Sequence, residues 1–229
     1  RSADGAVARV DVTGVAIIVP VLGRPHTIEP LVESIMTTTP GAQILFGCSP
    51  DDAQVVDVID GLGLEWFTVP GPYRGDYARK INQGYRLCVE PLLFTGACDI
   101  RFHPGWFEAA TAELVDGIGV VGTNDLGSAR VMAGRHSTHS LVTRDYVERF
   151  GTIDEVGVVL HEGYPHEFVD DELVQTAISR DAFAFAVDSH VEHLHPSWGK
   201  APSDELYERT PVRMAHGRRL YRRRRQLWT

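Results

Sequence analysis

The chain is poor in cysteine: Cys48, Cys88 and Cys98 are the three among 229 residues, and none stands in a CxxC pair. That excludes a zinc knuckle and a disulfide framework, and it points to a reducing compartment, so a cytoplasmic location is expected. No apolar run approaches the roughly 20 residues that cross a bilayer. The apolar stretch at residues 15–22 is short and strand-like, so no signal peptide is expected there. Internal repeats and low-complexity tracts are missing as well. Net charge is -9, which gives no general preference for nucleic acid.

The composition that is present, 43% hydrophobic and 23% charged, is that of a soluble globular enzyme. A chain of this size buries enough surface to fold without cross-links. Residues 1–12 are expected to be a frayed or vector-derived start, 13–200 a single α/β domain, and 201–229 a basic helical tail. The tail carries Arg213, Arg218, Arg219, Arg222, Arg223, Arg224 and Arg225 with almost no acid. Such a block binds an anionic surface, nucleic acid or lipid, or it is a solvated helix whose arginines pair with the acidic body.

Hydrophobic periodicity alternates between the two regular structures. VAIIVPV at residues 15–21 reads as a strand buried on both faces. A turn with Gly23, Arg24 and Pro25 leads to a helix with Leu31, Val32, Ile35 and Met36 on one face. Strands are predicted at 43–47, 64–69, 119–122, 182–187 and 191–195, with another ending at Asp99. Ser49-Pro50-Asp51-Asp52 has the form of a capping box before a helix through Val55, Ile59 and Leu62. Asp76 is a candidate N-cap for a helix with Tyr77, Ile81, Tyr85 and Cys88 facing inward. Further helices are predicted from Trp106, at 145–150 and at 171–178. Residues 124–139, rich in Gly, Ser, His and Arg, read as a long functional loop. Repeated β-α-β order implies a Rossmann-like, mostly parallel sheet with helices on both faces.

In such sheets ligands sit beyond the carboxyl ends of the strands. Four clusters fall there: Cys48 to Asp52, Cys98-Asp99, Asp170-Asp171-Glu172, and His193-Leu194-His195. Period-2 alternation puts His193 and His195 on one strand face. Carboxylate with imidazole suits Mn²⁺ or Mg²⁺. Each cluster also has a plain reading: Asp99 as a turn cap, Asp170-Asp171 as charge compensation at a helix start, the histidines as ordinary core or surface groups. HEGYPHE at 161–167 is not an HExxH site, because the second imidazole is one position late and Pro165 breaks a helix; a flexible loop is expected there.

Taken in order, these segments resemble the family-2 glycosyltransferases of the GT-A fold, over residues 15–198. VAIIVPVLGRPHTIEPLVESI resembles the opening strand, turn and helix of that family, and the resemblance implies nucleotide contacts from Pro20, Leu22 and Arg24. CSPDD stands at the acidic turn that recognises the base, with Asp51 the best match. ARKINQG resembles the stretch before the metal motif and implies donor contacts from Arg79, Lys80 and Asn82, while GACDI stands at the DxD motif. The first aspartate of that motif is replaced by Ala97, and Cys98 is either a soft ligand or a small buried hydrophobe. LVTRDYVERFGTIDE resembles the acceptor-side segment. VDDEL resembles the motif that supplies the catalytic base, implying Asp171 first and Asp170 second, and HVEHLHPSWGK the late histidine segment. The implied metal set is Asp99 with His195 or His193.

The resemblance implies transfer of a hexosyl group from a nucleotide-diphosphate sugar, a UDP-sugar first, to a hydroxyl acceptor, metal-assisted and inverting. Arg135 and His136 are further candidates for holding hydroxyls or phosphate. The acceptor is open between a glycan, a protein, a small molecule and modified DNA, the last suggested by the arginine tail. Two other readings remain. A degenerate module that binds nucleotide or nucleic acid without turnover would suit Ala97. A nucleotidyltransferase on a similar sheet would need a Gly-rich basic loop after the first strand, where VLGRPH has one Gly and one Arg.

Overall fold

β1 (Val15–Pro20) is buried along its whole length, as its β-branched run requires. The computed structural model describes residues 14–70, 76–208 and 210–228, so the start expected at residues 1–12 lies outside the described residues. After β1 come α1 (Ile28–Thr38), β2 (Gln43–Cys48), α2 (Ala53–Gly61), β3 (Glu65–Thr68), α3 (Tyr77–Leu87), β4 (Leu92–Thr95) and β5 (Ile100–Phe102). Then follow α4 (Trp106–Ala112), β6 (Val120–Asn124), α5 (Ala129–Met132), β7 (Ser140–Thr143), α6 (Arg144–Arg149), α7 (Val169–Ser179) and β8 (Phe183–His193). The chain ends in α8 (Glu205–Glu208) and α9 (Thr210–Arg224).

One eight-stranded sheet has the order β3-β2-β1-β4-β7-β6-β8-β5. β1 pairs in parallel with β2 and β4, β2 with β3, and β6 with β8. β7 runs antiparallel to both β4 and β6, and β5 antiparallel to β8. The mostly parallel sheet read from the sequence is therefore present, with two reversed strands.

Alternate residues of β1 face opposite cores. Ile17 and Val19 pack with Leu31 and Ile35 of α1, Val55 and Ile59 of α2, and Trp106 of α4. Ala16 and Ile18 pack with Ile81 and Tyr85 of α3, Tyr146 of α6, and Leu173 of α7. Helices thus cover both faces. α3 lies close on β1 because Gly84 has no side chain; a Cβ there would stand 2.5 Å from Ile18 Cγ2.

Several expectations are corrected. The strand predicted to reach Asp99 stops at Thr95, because Gly96 turns the chain with its N–H on Ile18 O, and β5 starts separately at Ile100. The two strands predicted at 182–187 and 191–195 are one strand, β8, with a register shift against β6 between Thr123 and Asn124. The capping box does not form: Asp52 is the N-cap of α2 but makes no side-chain cap bond, and its carboxylate accepts instead from Gly23 N–H. The segment 124–139 holds α5 and buries His136, Ser137 and His139, so it is packed structure. Residues 161–167 are non-helical, with Tyr164 fully buried, so the segment is anchored by that side chain.

The tail packs on the body. Arg224 pairs with Asp154 (2.6 Å) and Glu172 (2.7 Å), and Arg213 with Glu167 (3.0 Å). Trp228 Nε1–H donates to Thr176 Oγ1, and the Tyr221 ring lies against Phe168. Arg218, Arg219, Arg222, Arg223 and Arg225 are exposed. No described helix is long and apolar enough to cross a membrane.

Candidate active site

Asp99 lies in the turn between β4 and β5. Pairing of β5 with β8 sets Ile100 opposite His193, and Leu194 N–H donates to Asp99 O. This register brings Asp99 Oδ2 to 3.7 Å from His193 Nε2. The same carboxylate oxygen accepts from Arg24 Nη1 (2.8 Å) and from Tyr207 Oη (2.6 Å). Burial opposes ionisation of Asp99, but His193, Tyr207 and Arg24 outweigh it and hold the carboxyl well below the usual range. Arg24 also makes a bidentate pair with Asp204 (2.7 and 3.0 Å), and its guanidinium lies 4.2 Å from the centre of the Tyr207 ring. Arg24 was expected near the donor; Asp204 and Tyr207 were not, because they come from the tail.

His193 and His195 do not share a strand face. β8 ends at His193, the chain folds back with His195 N–H on His193 O, and His195 begins the short turn Pro196–Trp198. Their rings still meet edge-on, centroids 5.2 Å apart. His195 Nδ1 accepts from Ser197 N–H. Asp99 and His193 are thus a carboxylate and an imidazole of the kind that suits a divalent ion, here with the carboxylate engaged by Arg24 and Tyr207. His195 is the neighbouring imidazole. Among the described residues, the only three that bring ligand atoms within 4.8 Å of one another are His136, Asp170 and Asp171. A cleft of about 570 Å³ opens beside His195 and Tyr207 and runs between the Pro196 turn and α9.

Asp170 and Asp171 open α7. Their carboxyl oxygens come within 4.8 Å of each other, yet their closest partners differ. Asp170 Oδ2 is 3.1 Å from His136 Nε2, whereas Asp171 pairs with Arg130. Burial works against the Asp170 anion, but His136 outweighs it and the carboxyl sits below its usual range. Burial, then the Asp170 charge, push Asp171 up. Asp170 and Asp99 both act electrostatically on Tyr77, His139 and His166. The two acids therefore lie near one buried group of rings. His166 stacks on Tyr77 with ring planes 7° apart. Tyr77 O–H and His139 Nδ1 converge on the Thr95 carbonyl, at 3.2 and 2.8 Å. Burial lowers His139 to about 4, so its ring is neutral.

The expected nucleotide side lies at the ends of β1 and β2. Pro20 closes β1 and Leu22 is half-buried in the turn that follows. Lys80 is 1% exposed, and its Nζ donates to Val21 O (2.7 Å) and Ser49 Oγ (3.0 Å). Burial draws its ammonium down to about 8. Asp51, the expected base-recognising acid, is exposed, while Asp52 is the buried acid fixed to the β1 turn. Arg79 donates to Pro70 O and pairs with Asp76. Asn82, expected at the donor, is turned elsewhere: its amide bonds Val159 N–H, Leu160 N–H and O, and Glu162, which pins the loop before α7. Cys98 is buried and its thiol is pushed up to about 11 by desolvation, so it remains a thiol and is not a ready metal ligand.

A scan against protein-family models and a search among curated proteins give no match. Solved structures do match. A mannosyltransferase from Pyrobaculum calidifontis, in complex with GDP-Man and Mn²⁺, superposes with a TM-score of 0.63 at 16% identity, over 94% of this chain and 64% of that one. The chain thus spans less than two thirds of that enzyme's length. Glucosyl-3-phosphoglycerate synthase from Mycobacterium tuberculosis, with Mn²⁺, UDP and glucosyl-3-phosphoglycerate, gives 0.62 at 16% identity, over 90% of this chain and 78% of that one. The same synthase with Mn²⁺, UDP-Glc and phosphoglyceric acid gives 0.62 at 17% identity. Strand order, the two-sided helical cover and these superpositions together give the chain the fold of the GT-A glycosyltransferases.

Proposed function

We propose that the protein is a glycosyltransferase that moves a sugar from a nucleotide-diphosphate donor, a UDP-sugar first, to an acceptor hydroxyl. The observation that carries this reading is the Asp99 carboxylate just past the end of β4, held below the usual carboxylate range and 3.7 Å from His193 Nε2. The two solved relatives hold Mn²⁺ with GDP-Man or UDP at the same fold. In this chain Asp99 and His193 would hold Mn²⁺ or Mg²⁺, which neutralises charge on a leaving diphosphate when bound. Arg24 stands ready to donate to the same oxygens once its contact with Asp99 is exchanged.

Transfer breaks the bond from the anomeric carbon to the diphosphate oxygen, which keeps the electron pair, and forms a bond to the acceptor oxygen. The acceptor proton goes to Asp170, whose carboxylate is oriented by His136. Asp170 takes the role in preference to Asp171, since Asp171 is engaged by the Arg130 guanidinium. The turn of Pro20, Leu22 and Arg24, supported from beneath by the buried Lys80 through Val21 O, would face the nucleotide, and the free cysteines suit a cytoplasmic setting. The division into a catalytic body and an appended basic tail belongs to the same proposal. The exposed tail arginines favour an anionic acceptor surface as a second reading, modified DNA included, and duplex binding that falls steeply with salt is its signature.

The test is incubation with UDP- and GDP-sugars and Mn²⁺, reading release of nucleoside diphosphate. Asp99→Asn and Asp170→Asn should each lower turnover by about 10²-fold or more, the scale of a general-base contribution. Asp171→Asn should stay within about tenfold of the unaltered chain. Release of pyrophosphate instead would indicate nucleotidyl transfer, and binding without release a non-catalytic module.

A further inference from the structure

The cleft of about 570 Å³ beside His195 and Tyr207 has the volume of a small-molecule site. The transfer reading leaves it without an occupant, since the nucleotide is assigned to the turn at Pro20, Leu22 and Arg24 and the diphosphate to Asp99 and His193. One wall is a stripe of α9. Pro211, Met214, Ala215 and Arg218 recur at helical spacing, so they share a face over two turns, about 10 Å. Tyr207 lines the cleft ahead of that helix, and its Oη donates to Asp99 Oδ2 at 2.6 Å. The cleft thus adjoins the Asp99 carboxylate at Tyr207, and Arg218 is the lining residue farthest along α9 from it.

Charge decides what the cleft takes. Asp and Glu outnumber Lys and Arg by 31 to 22 in this chain, yet no carboxylate lines the cleft among the described residues. Arg213 on the same helix is engaged by Glu167, and Arg224 by Asp154 and Glu172. Arg218 has no such partner among the described residues. A guanidinium presents a planar fork of donors that matches phosphate and carboxylate. Ser197 and Ser203 add hydroxyls, which both donate and accept, and Pro211 and Met214 add apolar contact. We propose that the cleft binds the acceptor, a small hydroxylated molecule carrying a phosphate or carboxylate, and that Arg218 receives this anion. The acceptor role rests on the transfer reading above; the preference for a small anion rests on the cleft alone.

The experiment is a nuclear magnetic resonance titration of the full chain with glycerol phosphate, glucose phosphate, glycerate and gluconate, and with glycerol and glucose as uncharged counterparts. Each anion of the better-matched series, phosphate or carboxylate, should bind at least about tenfold tighter than its counterpart, and Arg218→Gln should remove that advantage. Arg222→Gln, one turn further along α9 and also exposed, should leave it within about twofold. Ala215→Trp fills the cleft from an exposed position and should abolish binding of the anions at an unchanged urea midpoint. UDP affinity with Mn²⁺ should stay within about twofold in Arg218→Gln. Equal loss in Arg222→Gln, binding retained in Ala215→Trp, UDP affinity falling with that of the anions, or no preference for either anion overturns the proposal and leaves the transfer reading intact. Anion binding as expected, with no nucleoside diphosphate released from UDP- or GDP-sugars in the presence of the tightest anion, overturns the acceptor role and the transfer reading together and leaves the anion site standing.

Discussion

Lys80 places a primary amine where water scarcely reaches it, between the ends of β1 and β2. Its ammonium releases its proton near 8 in the folded chain against 10.5 when free. Between those two values the unfolded chain holds a proton that the folded chain has lost, so the contribution of this site to stability rises with pH across that window and is flat below it. From pH 7 to pH 10 the stability read from urea melts should rise for the unaltered chain relative to Lys80→Met by on the order of 3 kcal/mol. Residue identity made part of this site visible in advance. Asp99, Asp170 and His193 are acids and an imidazole at element ends, where local pattern suffices to find them. Asn82 looked like a donor contact because its neighbours matched a motif, yet its partners lie 77 and 78 residues away in the loop before α7. His139 and Tyr207 gave no signal either, since what matters about each is one atom and the distant group it meets.

Elements were legible where hydrophobic period and length agreed, as in β1, α1 and α3. They were misjudged where hydrogen bonding from elsewhere decided the boundary. β4 stops at Thr95 because Gly96 closes onto Ile18 O, and a Cβ on Gly96 would stand 2.8 Å from that oxygen. β8 runs through the point where the sequence suggested a break, because the bulge against β6 absorbs the irregular spacing. Glycine in a helix interior normally weakens it, by about 1 kcal/mol relative to alanine. Gly84 reverses that expectation, since α3 can approach β1 only without a side chain there. Gly84→Ala should therefore destabilise the protein by about 1–3 kcal/mol, as overpacking does, and a shift of the urea midpoint at constant slope would measure it.

At the scale of the whole molecule the tail is part of the fold. Arg224 is 10% exposed and Glu172 3%, and Tyr164 Oη donates to the same carboxylate at 2.7 Å. Removing one partner of such a pair leaves a charge buried without its counterion. Arg224→Ala should cost about 3–5 kcal/mol in a urea melt. Arg222→Ala, on the exposed side of α9, should fall within about 0.5 kcal/mol of the unaltered chain.

The phenol of Tyr207 and the guanidinium of Arg24 both sit on one oxygen of the Asp99 carboxylate. A cation held by Asp99 would compete with those two contacts, and through them with the Asp204 pair of Arg24. Limited proteolysis should then nick the backbone just ahead of α9 when nucleotide and Mn²⁺ are supplied together, and spare it when neither is.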